Sequence, residues 1–465
     1  MEWKELPSRP SLEQYKKQAK DLLKSHKSGD REALSRIERH HPRFGSAKFA
    51  LADAQLVVAR EHGFESWPQF AKQLEARERE GSEVFIWKAA EDAVIAGDAA
   101  GLERLLQEHE RLFREGQPPS FGFGGLRADY SGGDARSILA RNHHFESWAK
   151  FEEHVEARGR KNSAMEQFEA AVDAVIGGDV AQLEGLLGKN PDLVRVRSTR
   201  THGATLLHYV GANGVEYFRQ KTPKNAVAIA ETLLKAGAEA GAVAEMYGGS
   251  TALDLVATSV HPLRAVVQNA LIGTLLKNGA AAGDGAVDGC LANGREEAAE
   301  FLAQRGAKLD LASAAGVGRL DLVKEFFDEG AEEQVKRGFG WACQYGRASI
   351  VEFLLQKGFD VGAKLKRHGE TGLHHAALGG HSDVVQLLLE RKAPVGVKDE
   401  TWGGTALGWA LHAWSNRPPG TASGSHDRVA KLLVAAGSRV EAEWLESESV
   451  RADPRMLAAL RGDST

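Results

Sequence analysis

Cysteine is nearly absent: Cys290 and Cys343 are the only two in 465 residues. A disulfide framework or a four-ligand zinc site needs more thiols than that, so neither is expected. No uncharged apolar run approaches the ~20 residues of a membrane span. The opening Met1-Glu-Trp-Lys-Glu-Leu-Pro7 lacks the apolar core of a secretory leader. A reducing cytoplasm is therefore the expected compartment. An excess of one charge is missing too, with 59 Lys and Arg against 64 Asp and Glu, interleaved throughout. Nucleic acids are held by clustered basic surface. The runs at 197–200 and 364–367 are short and read as solvated loops, so neither nucleic acid nor membrane is expected as a partner.

Signatures of chemistry are missing as well. There is no His-Glu-x-x-His, no Cys-x-x-Cys and no phosphate-cradling Gly-x-x-x-x-Gly-Lys loop. In Gly420-Thr-Ala-Ser-Gly424 the serine stands one place too late for a nucleophile elbow. His374 and His375 are adjacent, so on a helix they diverge by about 100° and cannot share one ion. His143 and His144 are related in the same way if helical. Neither enzyme activity, metal nor cofactor is expected.

What is abundant is glycine, 51 residues, placed regularly. A short helix ends at a small residue plus Gly, and a second ends in Leu-Leu followed by Gly-Ala or Gly-Ser. Turn glycines fall at Gly178, Gly214, Gly294, Gly318, Gly346 and Gly380; stops fall at Gly237, Gly279, Gly306, Gly330 and Gly437. Glycine supplies the left-handed cap that ends a helix. The spacing predicts second helices at 181–187, 227–235, 271–277, 296–304, 320–328, 348–356, 382–390 and 428–435, each with an apolar stripe. Such helix pairs cannot bury that stripe alone and must stack.

Thr371-Gly-Leu-His374 with Gly380-His381, and Thr205-Leu-Leu-His208 with Ala212-Asn-Gly214, resemble the ankyrin-repeat superfamily. Thr251-Ala-Leu-Asp254 and Thr405-Ala-Leu-Gly408 are weaker versions that depart at the histidine. The resemblance covers about 165–445 and implies an all-α solenoid of about eight uneven repeats. It also implies that His208 and His374 tie adjacent turns by hydrogen bonds. Near 285–346 the turn glycines lie 24 and 28 residues apart, against about 33 in the family. The β-turn fingers there are expected to be truncated.

The amino-terminal third is duplicated at a constant 81 residues. Asp53-Ala-Gln-Leu-Val-Val-Ala-Arg-Glu-His-Gly-Phe-Glu-Ser-Trp67 recurs as Asp134-Ala-Arg-Ser-Ile-Leu-Ala-Arg-Asn-His-His-Phe-Glu-Ser-Trp148. Asp30, Asp98 and Asp179, each after a glycine, are placed to cap a helix. We expect helical modules at 1–80 and 81–160, a solenoid at 161–445, and a capping helix and tail at 446–465. A linker is expected at 115–133. Phe64 and Trp67 read as packing anchors. The pattern resembles uncharacterised bacterial ankyrin-repeat proteins and suggests a bacterial source.

Three repeats carry extra residues between their helices, at 215–225, 259–270 and 415–427. From the box threonine to the leucine pair takes 17 residues from Thr371, but 25 from Thr251 and 28 from Thr405. Such insertions project from one edge of a solenoid, and loops on a rigid scaffold tend to carry recognition. His208, Tyr209, Asn213, Tyr217, Arg219, His261, Trp402, Trp409, His412 and Trp414 are the candidate binding residues. Tyr, Trp and Arg dominate interface hot spots. Padding of the solenoid end is the competing role for Trp409 and Trp414. The expected function is binding of an unidentified protein through the concave face and the insertions. The alternative is a small-molecule or catalytic pocket beneath them, using His208, Tyr209, Asn213, Arg219 and His261. Composition leaves the oligomeric state open.

Overall fold

The computed structural model describes residues 11–41, 49–62, 64, 66–68, 70–71, 74, 135–211, 216, 219, 221–365, 368–416 and 425–463. The expected linker at 115–133, Asp98, Asn213, Gly214 and Tyr217 lie outside these residues. The chain divides into two compact units, one of residues 82–309 and one of residues 1–81 with 310–465.

The amino-terminal helices Leu12–Lys27, Arg31–His40 and Leu51–Glu61 surround a core of Tyr15, Leu22, Ile37, Val57, Phe64, Trp67 and Phe70. Asp30 caps the second of them by accepting from the Ala33 amide at 2.9 Å, after Gly29 turns at φ 75°. The Phe64 and Trp67 rings lie 5.2 and 5.7 Å from Phe70. In the other unit, Phe145 and Trp148 lie 5.6 and 5.2 Å from Phe151.

Helices then come in pairs. In the unit of 82–309 they are Ala164–Gly177 with Val180–Lys189, a 3₁₀ turn Leu206–Val210 with Ala226–Lys235, Ala252–Thr258 with Gln268–Lys277, and Ala286–Ala292 with Glu296–Ala303. In the other unit they are Leu311–Gly316 with Leu320–Phe326, Glu332–Gln344 with Ala348–Gln356, Gly372–Gly379 with Ser382–Glu390, and Ala406–Asn416 with His426–Ala435. Pro454–Arg461 packs against His426–Ala435. The only strand pair among the described residues is Val243–Ala244 with Ser250–Thr251.

Five described turn glycines and the stops Gly237, Gly279, Gly306 and Gly437 have positive φ. Gly330 differs. Its φ is not left-handed, and a Cβ there would stand 2.8 Å from Leu311 Cδ1; close approach, not cap geometry, requires this glycine. The first helix after Thr205 also departs from expectation, shrinking to a 3₁₀ turn where the insertion leaves the repeat. The short repeats lack a finger: Asp310 follows a few residues behind the preceding helix and caps the next one through the Ser313 amide at 2.7 Å.

Candidate functional site

Two places gather the candidate residues, one in each unit. The first lies beneath the insertion at 215–225. Ser198 and Ala204 close a finger by a 2.8 Å backbone bond, and the Thr201 amide at its tip donates to His144 O at 2.7 Å. This turn folds Arg200 inward, leaving it 3% exposed. The expectation of a solvated loop at 197–200 fails for that residue, because two carboxylates pull it into the interior. Arg200 Nη1 reaches Glu169 Oε1 at 2.5 Å, and its Nε lies 3.3 Å from Glu216 Oε1. Arg219 closes the ring, with Nη2 at 2.9 Å from Glu169 Oε2 and Nε on Glu216.

Tyr209 Oη donates to Glu216 Oε1 at 2.7 Å, and His202 Nε2 stands 3.5 Å from that oxygen. His154 contacts Thr199 Oγ1 at 2.8 Å. Two carboxylates and two guanidiniums thus neutralise one another in a buried knot. Burial alone would raise the Glu169 carboxyl, but Arg200 and Arg219 outweigh it and hold it down at about 2. The same two arginines hold Glu216 well below the usual carboxylate range against burial. Burial, with Glu216 nearby, pushes the Tyr209 phenol well up. Burial is also the main cause that takes His144 and His154 down to about 4 and His143 well below its ordinary value.

Tyr209 and Arg219 are therefore brought together, but both are spent on Glu216. His208 is fully buried; its Nδ1 accepts from the Thr205 amide at 3.2 Å and pairs with Thr205 Oγ1 at 2.9 Å. His261 lies apart on the inserted helix Val260–Arg264 of the next repeat. Sequence reasoning missed Glu169, Arg200, His202 and Glu216. The signal was available only as an Arg-rich finger facing an acidic helix and an insertion that carries both charges.

The second place is the finger before the last helix pair. Asp399 Oδ1 accepts from the Thr401 and Trp402 amides at 3.0 and 2.7 Å. Its Oδ2 accepts from the Gly404 amide at 2.8 Å and from Trp409 Nε1 at 3.0 Å. One carboxylate thus fixes both the turn and the indole. Trp402 is left 74% exposed at the tip, its ring 5.9 Å from Trp409. Trp409 in turn lies 5.3 Å from His374 and 5.9 Å from His375. His374 does tie turns together: Nδ1 accepts from the Thr371 amide at 3.1 Å, and Nε2 pairs with Gly404 O at 3.2 Å. His412 faces its own helix, with Nδ1 3.3 Å from Asn416 Nδ2. Trp414 is half-buried on the same helix.

The family described as ankyrin repeats (3 copies) matches twice, over 309–399 and 339–443. Residues 309–443 are thus similar to ankyrin repeats. The Thr371 box, the Asp399 turn and Trp402 fall inside that matched stretch, and the Ser198–Ala204 finger lies outside it. No curated protein matches the chain. Among the described residues no helix is long and apolar enough to cross a membrane, and no group of three or more His, Cys, Asp or Glu is placed to hold a metal ion.

Proposed function

We propose that this chain is a non-catalytic protein-binding module, acting through the fingers and first helices of the ankyrin stretch and through the inserted loops. The observation that carries the reading is Trp402, an indole held out to solvent by a turn that the Asp399 carboxylate braces through the Thr401, Trp402 and Gly404 amides. An exposed aromatic on a preorganised support loses little rotamer freedom on binding, which favours a contact hot spot. Trp409, His412 and Trp414 extend that contact surface along the last first-helix. The helix pairs of 164–303 are read as further ankyrin-like repeats, and the two Phe-Glu-Ser-Trp segments as copies of one helical module. The knot of Glu169, Arg200, Glu216 and Arg219 would anchor the insertion at Glu216 and Arg219, and Asn213 and Tyr217 are proposed as binding residues beside it. His208 and Tyr209 support it from inside. A cytoplasmic protein partner is the expected ligand, with neither nucleic acid nor membrane involved.

The alternative of a small-molecule site beneath the insertions draws less support. The point where Tyr209 and Arg219 converge is filled by the Glu216 carboxylate. Affinity capture from the native cytosol with wild type beside Trp402→Ala tests the leading reading. Loss of a specific prey by the folded variant supports it; wild type that retains no prey at all argues against it.

A further inference from the structure

The finger Ser198–Ala204 and the hairpin that follows it in the same unit share one register. Arg197 forms a bridge to the box threonine Thr205, and Val243 pairs with Thr251 in the same way. Two contacts join the first of these fingers to the second. The Glu245 amide donates to His202 O at 2.8 Å, and Arg197 Nη1 reaches across to Val243 O at 2.7 Å. The fingers of the other unit repeat both contacts. The Glu400 amide donates to His368 O, and Lys364 Nζ reaches across to Glu400 Oε1 at 2.7 Å. Each acceptor stands three residues before its box threonine, and each cation opens its finger.

The hairpin at 243–251 has no such successor. Residues 278–285 run directly from the helix Gln268–Lys277 to the helix Ala286–Ala292. Gly248, three residues before Thr251, is exposed, and its carbonyl accepts no hydrogen bond among the described residues. The chemistry of the opening position changes with it. Where Arg197 and Lys364 each engage the finger that follows, this hairpin carries Val243, left 50% exposed. Exposed and buried residues alternate from Val243 to Tyr247, which puts both on the outer face. Tyr247, next to Gly248, is 57% exposed.

An edge of unpaired backbone groups is a template for another extended chain, and lysine is one residue that blocks such edges. We infer that the edge of the hairpin 243–251 takes an extended segment of a partner protein, which fills the place of the missing finger. A backbone N–H of that segment donates to Gly248 O, as the Glu245 amide does to His202 O. Main-chain bonds of this kind supply affinity, and side chains beside them supply specificity. Here the specificity is for an apolar side chain, β-branched or aromatic, lying over Val243 and Tyr247. An acidic side chain is not selected, because the opening position holds no cation to engage it. The inference rests on the protein-binding reading and names a contact that does not include Trp402.

The full chain, immobilised, selects from a phage-displayed library of random peptides, and the selected peptides are remade synthetically. Those whose binding survives Trp402→Ala are expected to share an apolar residue. Replacing their amides one at a time by esters removes single N–H donors, and one replacement should raise Kd about 10-fold. Val243→Lys, which restores the cation of the other fingers, should weaken the same peptides about 10-fold or more with the melting temperature unchanged. An ester scan without a sensitive position, or a Kd within about twofold for Val243→Lys, overturns the inference. Light scattering that shows the chain self-associating, with Val243→Lys returning it to monomer, overturns it too, since a second copy is then the occupant. If every selected peptide is lost in Trp402→Ala and none in Val243→Lys, the protein-binding reading survives alone. If wild type selects nothing, both fall.

Discussion

Arg200 illustrates how much one side chain can settle. Its guanidinium contacts Glu169 and Glu216, so Arg200→Met leaves two buried carboxylates with Arg219 alone. Breaking a buried pair from one side costs about 3–5 kcal/mol. Urea unfolding of Arg200→Met should show a loss of that order, and a loss under about 1 kcal/mol would mean the knot is solvated. The histidines around it set the pH response. His144 and His154 stand at about 4 in the folded chain, below the ordinary 6.5. The unfolded chain therefore binds more protons between those values, and stability falls as pH drops through that window. The slope is about 1.4 kcal/mol per pH unit for each such histidine. Glu169, held at about 2, adds a loss that begins below the ordinary carboxylate range. Urea midpoints should be level above pH ~7 and fall steadily toward pH ~4; a flat profile across that interval contradicts the assignment. Cys290 is pushed up to about 12, and Cys343 is pushed up further, by burial. Both should resist alkylation until the chain unfolds.

At the scale of the helix pair, turns and stacking decide. Lys392, two residues past the end of the helix Ser382–Glu390, has φ 64° where most other repeats place glycine. A side chain in that conformation costs about 1–2 kcal/mol. Lys392→Gly should raise the melting temperature, and no rise would show that the Lys392 side chain offsets the strain. Gly379 acts differently, because its φ is ordinary. An added Cβ would meet Gln344 O of the preceding pair at 2.2 Å, so Gly379→Ala should force the two pairs apart and destabilise by about 1–3 kcal/mol. The positions of second helices were legible in the chain, and 348–356 and 382–390 coincide with Ala348–Gln356 and Ser382–Glu390. Boundaries elsewhere moved by a few residues. Gln268–Lys277 begins ahead of the expected 271 because the buried Gln268 amide donates to Val256 O, Ala257 O and Ser259 O. Those bonds come from another helix and leave no local trace.

Within each unit, neighbouring pairs shield one another's apolar faces, so end pairs need a cover. Pro454–Arg461 provides one, burying Met456, Ala459 and Leu460 beside His426–Ala435. Deleting residues 453–465 uncovers that helix and should lower the unfolding free energy by roughly 2–5 kcal/mol, the scale of losing two or three buried apolar side chains. An unchanged denaturation midpoint would show that the last helix is dispensable. Trp402→Ala belongs to the opposite class, and should leave the unfolding free energy within about 0.5 kcal/mol of wild type because the ring covers little of the core.

The amino-acid order by itself determined the rhythm of paired helices, their glycine stops and the histidine box, since each of these is decided within a few residues along the chain. Tertiary structure alone decided which polar groups are inside. Glu169 and Arg200 stand 31 positions apart, and only stacking puts them in contact with Glu216 and Arg219. The same folding that withdrew Arg200 from water left Trp402 in it. Burial and charge pairing depend on what lies across the fold, and sequence spacing carries no record of that.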